Sequence, residues 1–275
     1  MTASPVKDLS RLCVHTITTR PWSLEEAIEG YSRAGIPALT VWRQAFEASG
    51  AGAATRLLKE SGLRVTSLCR GGFFPAPDDT GRRKTIDDNL RAIEEAATIG
   101  APLIVLVCGA VPGMPLEEGR RQIREGIEAI LPEAEKAGVR LSIEPLHPMY
   151  ADCRSAVVTL GQAHDMVEAI DHPNLGVTVD VYHLWWDHQL EDEISRAGHR
   201  IFSYHVSDWR TPTRDLLNDR EIMGRGCIPL KQIRAWVERA GFTGDIEVEI
   251  FSREYWSQDQ SEFLEKITQA YIEHC

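Results

Sequence analysis

The sequence lacks the features that several large classes of protein require. No apolar run is long enough to cross a membrane or to act as a secretory signal, so we predict a cytoplasmic protein with no membrane partner. The six cysteines stand without CxxC spacing, which argues against a zinc ribbon or a disulfide framework and predicts free thiols. No GxGxxG or GxxxxGKS/T motif follows the first predicted strand, which weakens the case for a nucleotide-binding fold.

An excess of positive charge is also missing. The 30 lysines and arginines are outnumbered by 41 aspartates and glutamates, which gives a formal net charge of -11. Proteins that bind a phosphate backbone depend on clustered Lys and Arg, so we predict that nucleic acid is not a partner. Hydrophobic residues make up 43% of the 275 residues, which is enough to form a large core.

What the sequence does contain is a regular alternation of strand-like and helix-like segments. The eight strand-like runs are LCVHTIT, PALTVW, RVTSLC, LIVLVC, RLSIEP, GVTVDV, IFSYHV and DIEVEI. Amphipathic segments lie between them, and several end at a glycine, as Gly35 does after SLEEAIEGYSRA. No linker or change of composition divides the chain. The pattern predicts an α/β protein in which residues 1–275 form a single-domain (β/α)8 TIM barrel.

The last four predicted strands carry polar residues on the side that should face the barrel axis. Side chains alternate along a strand, and barrel interiors are usually filled by branched aliphatic residues, so this polarity needs an explanation. Four of the polar residues stand near the carboxyl ends of successive strands, and they are Glu144, Asp180, His205 and Glu249. Neighbouring strands lie about 4.8 Å apart, so we expect these four side chains to converge.

Three carboxylates that converge without a cation would repel one another. We therefore predict that Glu144, Asp180, His205 and Glu249 bind one divalent metal ion. The mostly oxygen ligand set favours Mn²⁺, with Mg²⁺, Co²⁺ and Zn²⁺ as alternatives. Glu247 lies two residues deeper than Glu249, and we interpret it as structural with Arg140 as its expected partner. A shift of register would exchange the roles of Glu247 and Glu249.

These segments resemble the xylose isomerase-like barrel superfamily of sugar isomerases and epimerases. The resemblance is carried, in order, by SIEPLHP, VTVDVYH, YHVSDWR and GFTGDIEVEIF, and it extends over nearly the whole chain. It implies a metal-dependent isomerase or epimerase that acts on a ketose or related polyol by proton transfer through a metal-stabilised enediolate. Glu144 and Glu249 would then be the catalytic acid and base as well as metal ligands. A homodimer or homotetramer is compatible with this interpretation.

The same resemblance implies contacts with the substrate. His183 matches a substrate-binding histidine of the epimerases. Arg210 matches a substrate-contacting arginine, although it stands one residue closer to His205 than in those proteins. The epimerases have a second glutamate where this chain has Tyr150, and we expect His147 to take over its contacts.

Two further parts of the sequence are candidates for the wall of the pocket. Trp186, just past the sixth strand, could offer an aromatic face to a sugar, and His15 stands at the upper end of the first strand. Residues 209–227 form a long connection, rich in arginine and in acidic residues, which predicts a functional lid. We expect its arginines to pair mainly with those acidic residues.

Alternative functions on the same barrel remain open at this point. An inosose or dehydroshikimate dehydratase would use the same enediolate to expel a β-hydroxyl group. A non-catalytic sugar-binding barrel is disfavoured because all four predicted ligands are present. The AP endonuclease branch takes extra histidines from strands three and four, where this chain offers Cys69 and Cys108, and is also disfavoured.

Overall fold

All eight strand-like runs form strands of one closed parallel barrel within residues 6–275, the part of the chain that the computed structural model describes. Barrel strands are β1 (Leu12–His15), β2 (Ala38–Trp42), β3 (Arg64–Gly72), β4 (Leu103–Val107), β5 (Arg140–Glu144), β6 (Leu175–Asp180), β7 (Ile201–Val206) and β10 (Ile246–Val248). The barrel closes between β1 and β10, where Cys13 stands opposite Glu247. The predicted single-domain (β/α)8 fold is confirmed.

Helices surround the barrel between the strands. They are α1 (Leu24–Arg33), α2 (Ala51–Ser61), α3 (Asp79–Ile99), α4 (Leu116–Lys136), α5 (Leu160–Ile170), α6 (Val181–Leu184), α7 (Leu190–Ala197), α8 (Leu230–Arg239), α9 (Arg253–Trp256) and α10 (Gln260–His274). Ser23 and Glu26 form a capping box at the start of α1, since each side chain accepts the other residue's backbone N–H. Nowhere in residues 6–275 does a helix have the length and hydropathy that a membrane span requires.

The two faces of the barrel strands differ as the alternation predicts. Leu141, Ile143, Val177 and Val179 are fully buried in the apolar core between strands and helices. The intervening residues of β5 and β6 face the axis, where the hydroxyl groups of Ser142 and Thr178 lie 2.6 Å apart. Packing between barrel and helices therefore uses one face of each strand and leaves the other for polar groups.

The connection between β7 and α8 contains a small hairpin that the sequence does not predict. Its two-residue strands are β8 (Asp208–Trp209) and β9 (Arg220–Glu221), and they pair antiparallel. The backbone N–H of Arg220 also donates to the carbonyl oxygen of Phe251, just after β10. These backbone contacts bring Arg220 over the carboxyl ends of the barrel strands.

Candidate metal centre

The four predicted ligands lie together at the carboxyl ends of neighbouring strands. Glu144 ends β5, Asp180 ends β6, His205 lies in β7 opposite Asp180, and Glu249 directly follows β10. One ligand atom of each side chain lies within 4.8 Å of one ligand atom of every other, and all four residues are buried. The structure thus brings together the whole set that the strand alternation selected.

The donor atoms of this set fit a divalent cation. Glu144 Oε1 and His205 Nδ1 lie 3.1 Å apart, yet neither atom has a well-aligned hydrogen-bond partner among the described residues. Burial raises the pKa of both Glu144 and Asp180, so these carboxyl groups resist ionisation unless positive charge lies beside them. The buried Glu144 and His205 atoms without partners, beside two further carboxylates, form a donor set that a metal such as Mn²⁺ would satisfy.

The protonation state of His205 affects metal binding. Burial disfavours its charged form, but the carboxylates of Glu144, Glu247 and Glu249 around the ring outweigh burial and raise the pKa of His205 to about 10. A histidine binds a metal through an unprotonated nitrogen. Metal binding near neutral pH would therefore release a proton from this ring.

Arg220 is a buried cation at the same centre, and sequence reasoning missed it. Its Nη1 atom donates to Asp180 Oδ2 at 3.0 Å and to Glu249 Oε2 at 2.8 Å, and its Nη2 atom lies 3.0 Å from Nε2 of His183. The guanidinium carbon also lies 4.3 Å from the centre of the Tyr182 ring. Burial raises the pKa of the Glu249 carboxyl, but Arg220 and then His15 outweigh burial and lower it. Glu249 is therefore ionised.

Arg210, the predicted substrate-contacting arginine, is not brought to this centre. Its Nε atom lies 3.0 Å from Asp219 Oδ1, and its Nη2 atom lies 2.6 Å from Glu221 Oε2. Side chains alternate along β9, so Asp219 and Glu221 point away from the side to which Arg220 points. The ion pairs expected for this connection are present, and Arg220, rather than Arg210, faces the ligands. The pairing of β8 with β9 and the backbone hydrogen bond to Phe251 distinguish Arg220 from the other arginines of the connection.

His15, predicted to contact substrate, lies beneath the ligands and is fully buried. Its Nδ1 atom lies 3.0 Å from Glu249 Oε1, and its Nε2 atom lies 3.2 Å from Glu247 Oε2. Trp42 Nε1 also reaches Nδ1 from 3.2 Å. This position makes His15 a support for Glu249 and not a residue of the pocket surface.

Glu247 belongs to a deeper polar layer, as its position in the strand indicates. Thr40 and Ser203 donate hydrogen bonds to its carboxylate. Burial opposes ionisation of Glu247, but the hydrogen bond from His15 and the neighbouring histidine charges lower its pKa to about 2. The prediction that Arg140 pairs with Glu247 was wrong. Arg140 begins β5 and is exposed to solvent, so it does not reach the buried Glu247. Its guanidinium carbon lies 4.5 Å from the ring centre of Phe202 instead.

The other predicted substrate residues lie beside the ligands and toward the rim. The Nε2 atom of His183 is 3.6 Å from Asp180 Oδ2, and its Nδ1 atom accepts the backbone N–H of His147. Burial, followed by the charge of Arg220, lowers the pKa of His183 well below its usual range, so its imidazole is neutral. Trp186 donates from Nε1 to the His183 carbonyl, and its ring lies 5.7 Å from that of His147. Its side chain is thus held on the outer side of His183.

The ligands open into a chamber that leads outward. The inner chamber measures about 20 Å³, and Glu144, Glu249, His183, Arg220 and Leu217 are among its walls. A larger cavity of about 400 Å³ adjoins it and shares Trp42, Arg154, Leu217 and Phe251 as walls. Leu217 and Arg220 belong to the connection that the sequence predicts as a lid, so part of that connection lines the chamber.

The sequence pattern of the Xylose isomerase-like TIM barrel family matches residues 28–267, so the chain belongs to this family, as predicted. The chain is similar to an inosose isomerase of Bacillus licheniformis, with 28% identity over 213 residues that cover 73% of this chain and 72% of that protein. It is also similar to a 3-dehydroshikimate dehydratase of Pseudomonas aeruginosa, with 27% identity over 206 residues. That match covers 72% of this chain but 31% of the dehydratase.

Solved structures share the architecture. A Sinorhizobium meliloti 1021 protein superimposes with a TM-score of 0.94 and 47% identity, over 98% of this chain and 99% of that protein. The crystal structure of the IolI protein with a bound zinc atom superimposes with a TM-score of 0.84 and 22% identity, over 96% of this chain and 97% of IolI. At that identity the second likeness concerns the fold alone.

Proposed function

We propose that the protein is a divalent-metal-dependent isomerase of an inosose or a related ketose, working by proton transfer at the carbon next to the carbonyl group. The observation that carries the proposal is the convergence of four buried ligand atoms within 4.8 Å at the end of the barrel where active sites form. Similarity to inosose isomerases supports the substrate class. The three carboxylates and one imidazole support a divalent metal, and the mostly oxygen donor set leads us to infer Mn²⁺.

In the proposed reaction the metal supplies Lewis-acid stabilisation for the negative charge that develops on the carbonyl oxygen of the substrate. Glu144, Asp180, His205 and Glu249 would hold it. Glu249 has a lowered pKa and is ionised, so it acts as the base that removes the proton. Glu144, on the other side of the ligand set, acts in its protonated form as the acid that returns a proton. The two groups stand at opposite ends of the ligand arc, which suits opposite faces of a ring.

His183 and Arg220 have positioning roles in this proposal. Nε2 of His183 and Nη2 of Arg220 lie 3.0 Å apart and both belong to the wall of the inner chamber. A hydroxyl or carbonyl oxygen placed there would lie within hydrogen-bonding reach of both. Because His183 is neutral, it adds no charge to the centre and can serve a polar, uncharged substrate group.

The experiment is solvent exchange followed by proton NMR. Purified protein with Mn²⁺ is incubated with scyllo-inosose in D₂O, and we expect deuterium to replace the proton next to the carbonyl while a second inosose accumulates. Treatment with a chelator should abolish exchange, and added Mn²⁺ should restore it. Absence of stoichiometric metal, together with absence of exchange on inososes and ketoses, would contradict the proposal.

A dehydratase is the second candidate, because the chain is also similar to a 3-dehydroshikimate dehydratase. The same proton removal followed by loss of a β-hydroxyl group would release water and leave a conjugated product. That product absorbs ultraviolet light, whereas an isomerised inosose does not. Absorbance recorded on the same reaction mixtures therefore distinguishes the two functions.

A further inference from the structure

Three arginines at the mouth of the site have no carboxylate partner. Arg20, Arg70 and Arg154 line the outer cavity of about 400 Å³, and no Asp or Glu of the described residues lines it with them. No ion pair joins any of the three to an acidic side chain within residues 6–275. The protein has a net charge of -11, so a cavity whose only charged residues are arginines is a local reversal of its charge.

Other arginines of this region are neutralised, which makes the contrast informative. Arg43, which lies in the neighbouring cavity together with Arg70, donates to the carboxylates of Asp88 and Glu95. Arg220 lies between two carboxylates in the inner chamber. Arg70 also lines that neighbouring cavity, but the Asp88 and Glu95 carboxylates there are paired with Arg43.

Aromatic rings hold the three guanidinium groups without neutralising them. The guanidinium carbon of Arg20 lies 5.1 Å from the ring centre of Trp256, that of Arg70 lies 4.0 Å from Phe73, and that of Arg154 lies 5.8 Å from Tyr150. A cation over an aromatic face is positioned by the ring while its N–H donors remain available at the edge. Positioned donors of this kind suit a planar or tetrahedral anion.

Of the three arginines, Arg70 shows most clearly a positive charge that no carboxylate compensates. Burial, followed by repulsion from Arg154 and Arg43, lowers the pKa of Arg70 to about 10. Its guanidinium is still protonated at neutral pH, so the site keeps a partly desolvated cation close to another cation. An anion bound between Arg70 and Arg154 would relieve this repulsion and accept charge-assisted hydrogen bonds.

We infer that the substrate carries an anionic group, a phosphate or a carboxylate, which Arg70 and Arg154 bind while the ketone end reaches the four ligands. Arg154 lines both the outer cavity and the inner chamber, so one molecule can span the two. Arg20, which is exposed, would attract the anion at the rim. This inference rests on the proposed isomerase and specifies its substrate as a sugar acid or a sugar phosphate.

The first test compares neutral and anionic ketoses of matched size. Deuterium exchange is measured with Mn²⁺ on D-fructose, D-fructose 6-phosphate and D-tagaturonate, and the ratio of the two anionic substrates identifies the anion. We expect at least one anionic ketose to exceed D-fructose in kcat/KM by about 10-fold or more. Arg70→Gln and Arg154→Gln should remove that advantage, mainly through KM. Equal kcat/KM for neutral and anionic substrates would overturn the inference.

A matched control is available on the outer surface. Arg56 is exposed on α2 and does not line the cavity, so Arg56→Gln removes the same charge and should keep the anionic preference. Arg70→Lys keeps the charge at the site and should retain part of it. Thermal melting of each variant shows that it is folded, and an equal loss in Arg56→Gln would show a general charge effect and overturn the inference.

A second test does not depend on turnover. Calorimetric titration with inorganic phosphate should show binding to wild-type protein and to Arg56→Gln, and binding at least about 10-fold weaker to Arg70→Gln and Arg154→Gln. Exchange of a neutral inosose without phosphate binding would overturn this inference and leave the proposed isomerase standing. Arginine-dependent phosphate binding without exchange on any ketose would do the opposite.

Discussion

Replacement of Arg220 by methionine should destabilise the metal-free protein far more than the metal-loaded protein. The guanidinium of Arg220 is buried and donates to Asp180 at 3.0 Å and to Glu249 at 2.8 Å. Removing one partner of a buried ion pair costs about 3–5 kcal/mol, because the remaining charge is left uncompensated. In a chain of this size each kcal/mol lowers the melting temperature by about 2–4 °C. We therefore expect the metal-free Arg220→Met variant to melt roughly 10 °C below wild type.

The assay is differential scanning calorimetry with a chelator and again with excess Mn²⁺. A ligand present at 100 times its dissociation constant stabilises a protein by about 2.7 kcal/mol, and we expect a larger gain for Arg220→Met because the metal replaces the missing positive charge. Arg214→Met is the matched control. Arg214 pairs with Asp219 and Glu254, but its side chain is 53% exposed, so little change is expected. Equal melting of wild type and Arg220→Met in chelator, or an equal gain from Mn²⁺, would refute the reasoning.

Three further predictions concern the ligands and one remote histidine. Glu249→Gln should lose exchange activity by about 100-fold or more while keeping most of its Mn²⁺, because an amide oxygen still coordinates but cannot act as a base. Activity and bound metal are measured on the same sample. Unaltered exchange would contradict the role of Glu249. Asp180→Ala should lose both metal and activity. Metal analysis after dialysis is the check, and a variant that retains stoichiometric metal would contradict the ligand role of Asp180. Burial, followed by the charge of Arg196, lowers the pKa of His164. Below about pH 6.5 the unfolded chain therefore binds the extra proton, so the stability contributed by neutral His164 is present above that pH and is lost as the pH falls. In urea titrations His164→Gln should show a weaker loss of stability on acidification, and identical pH dependence in both proteins would count against this account.

The barrel and its ligand set could be predicted because both follow from local pattern. Alternation along a strand decides which side chains face the axis, and closure in sequence order makes successive strands neighbours, so the ligands were expected at one end of the barrel. The exact opposition of Asp180 and His205 depends on the register of β6 and β7, which shifts after Val177. Arg220 could not be predicted in the same way. Its position depends on two-residue strands and on one backbone hydrogen bond to Phe251, contacts that no periodicity in the sequence records.

The deeper polar layer shows a second limit. The alternation of side chains along the strand correctly placed Glu247 on the axial side, but alternation does not identify the partners of a side chain. The hydroxyl groups that bind Glu247 come from β2, β3 and β7, and its imidazole contact comes from β1, so four separate strands satisfy one carboxylate. A charged residue two positions below a site therefore cannot be assigned its partner by matching it to an opposite charge that is expected to point inward at a similar depth.

The small volume of the inner chamber links substrate binding to retention of the metal ion. A ketose needs more room than about 20 Å³, so we expect Leu217, which lies in the β7–α8 connection, to move outward when a substrate settles against the acids. A substrate held beneath Leu217 would then stand between the acids and the outer cavity, on the route by which a cation leaves. An occupied enzyme should consequently retain its cation longer than an empty one, so dissociation of Mn²⁺ into chelator should slow when a non-reactive polyol is bound.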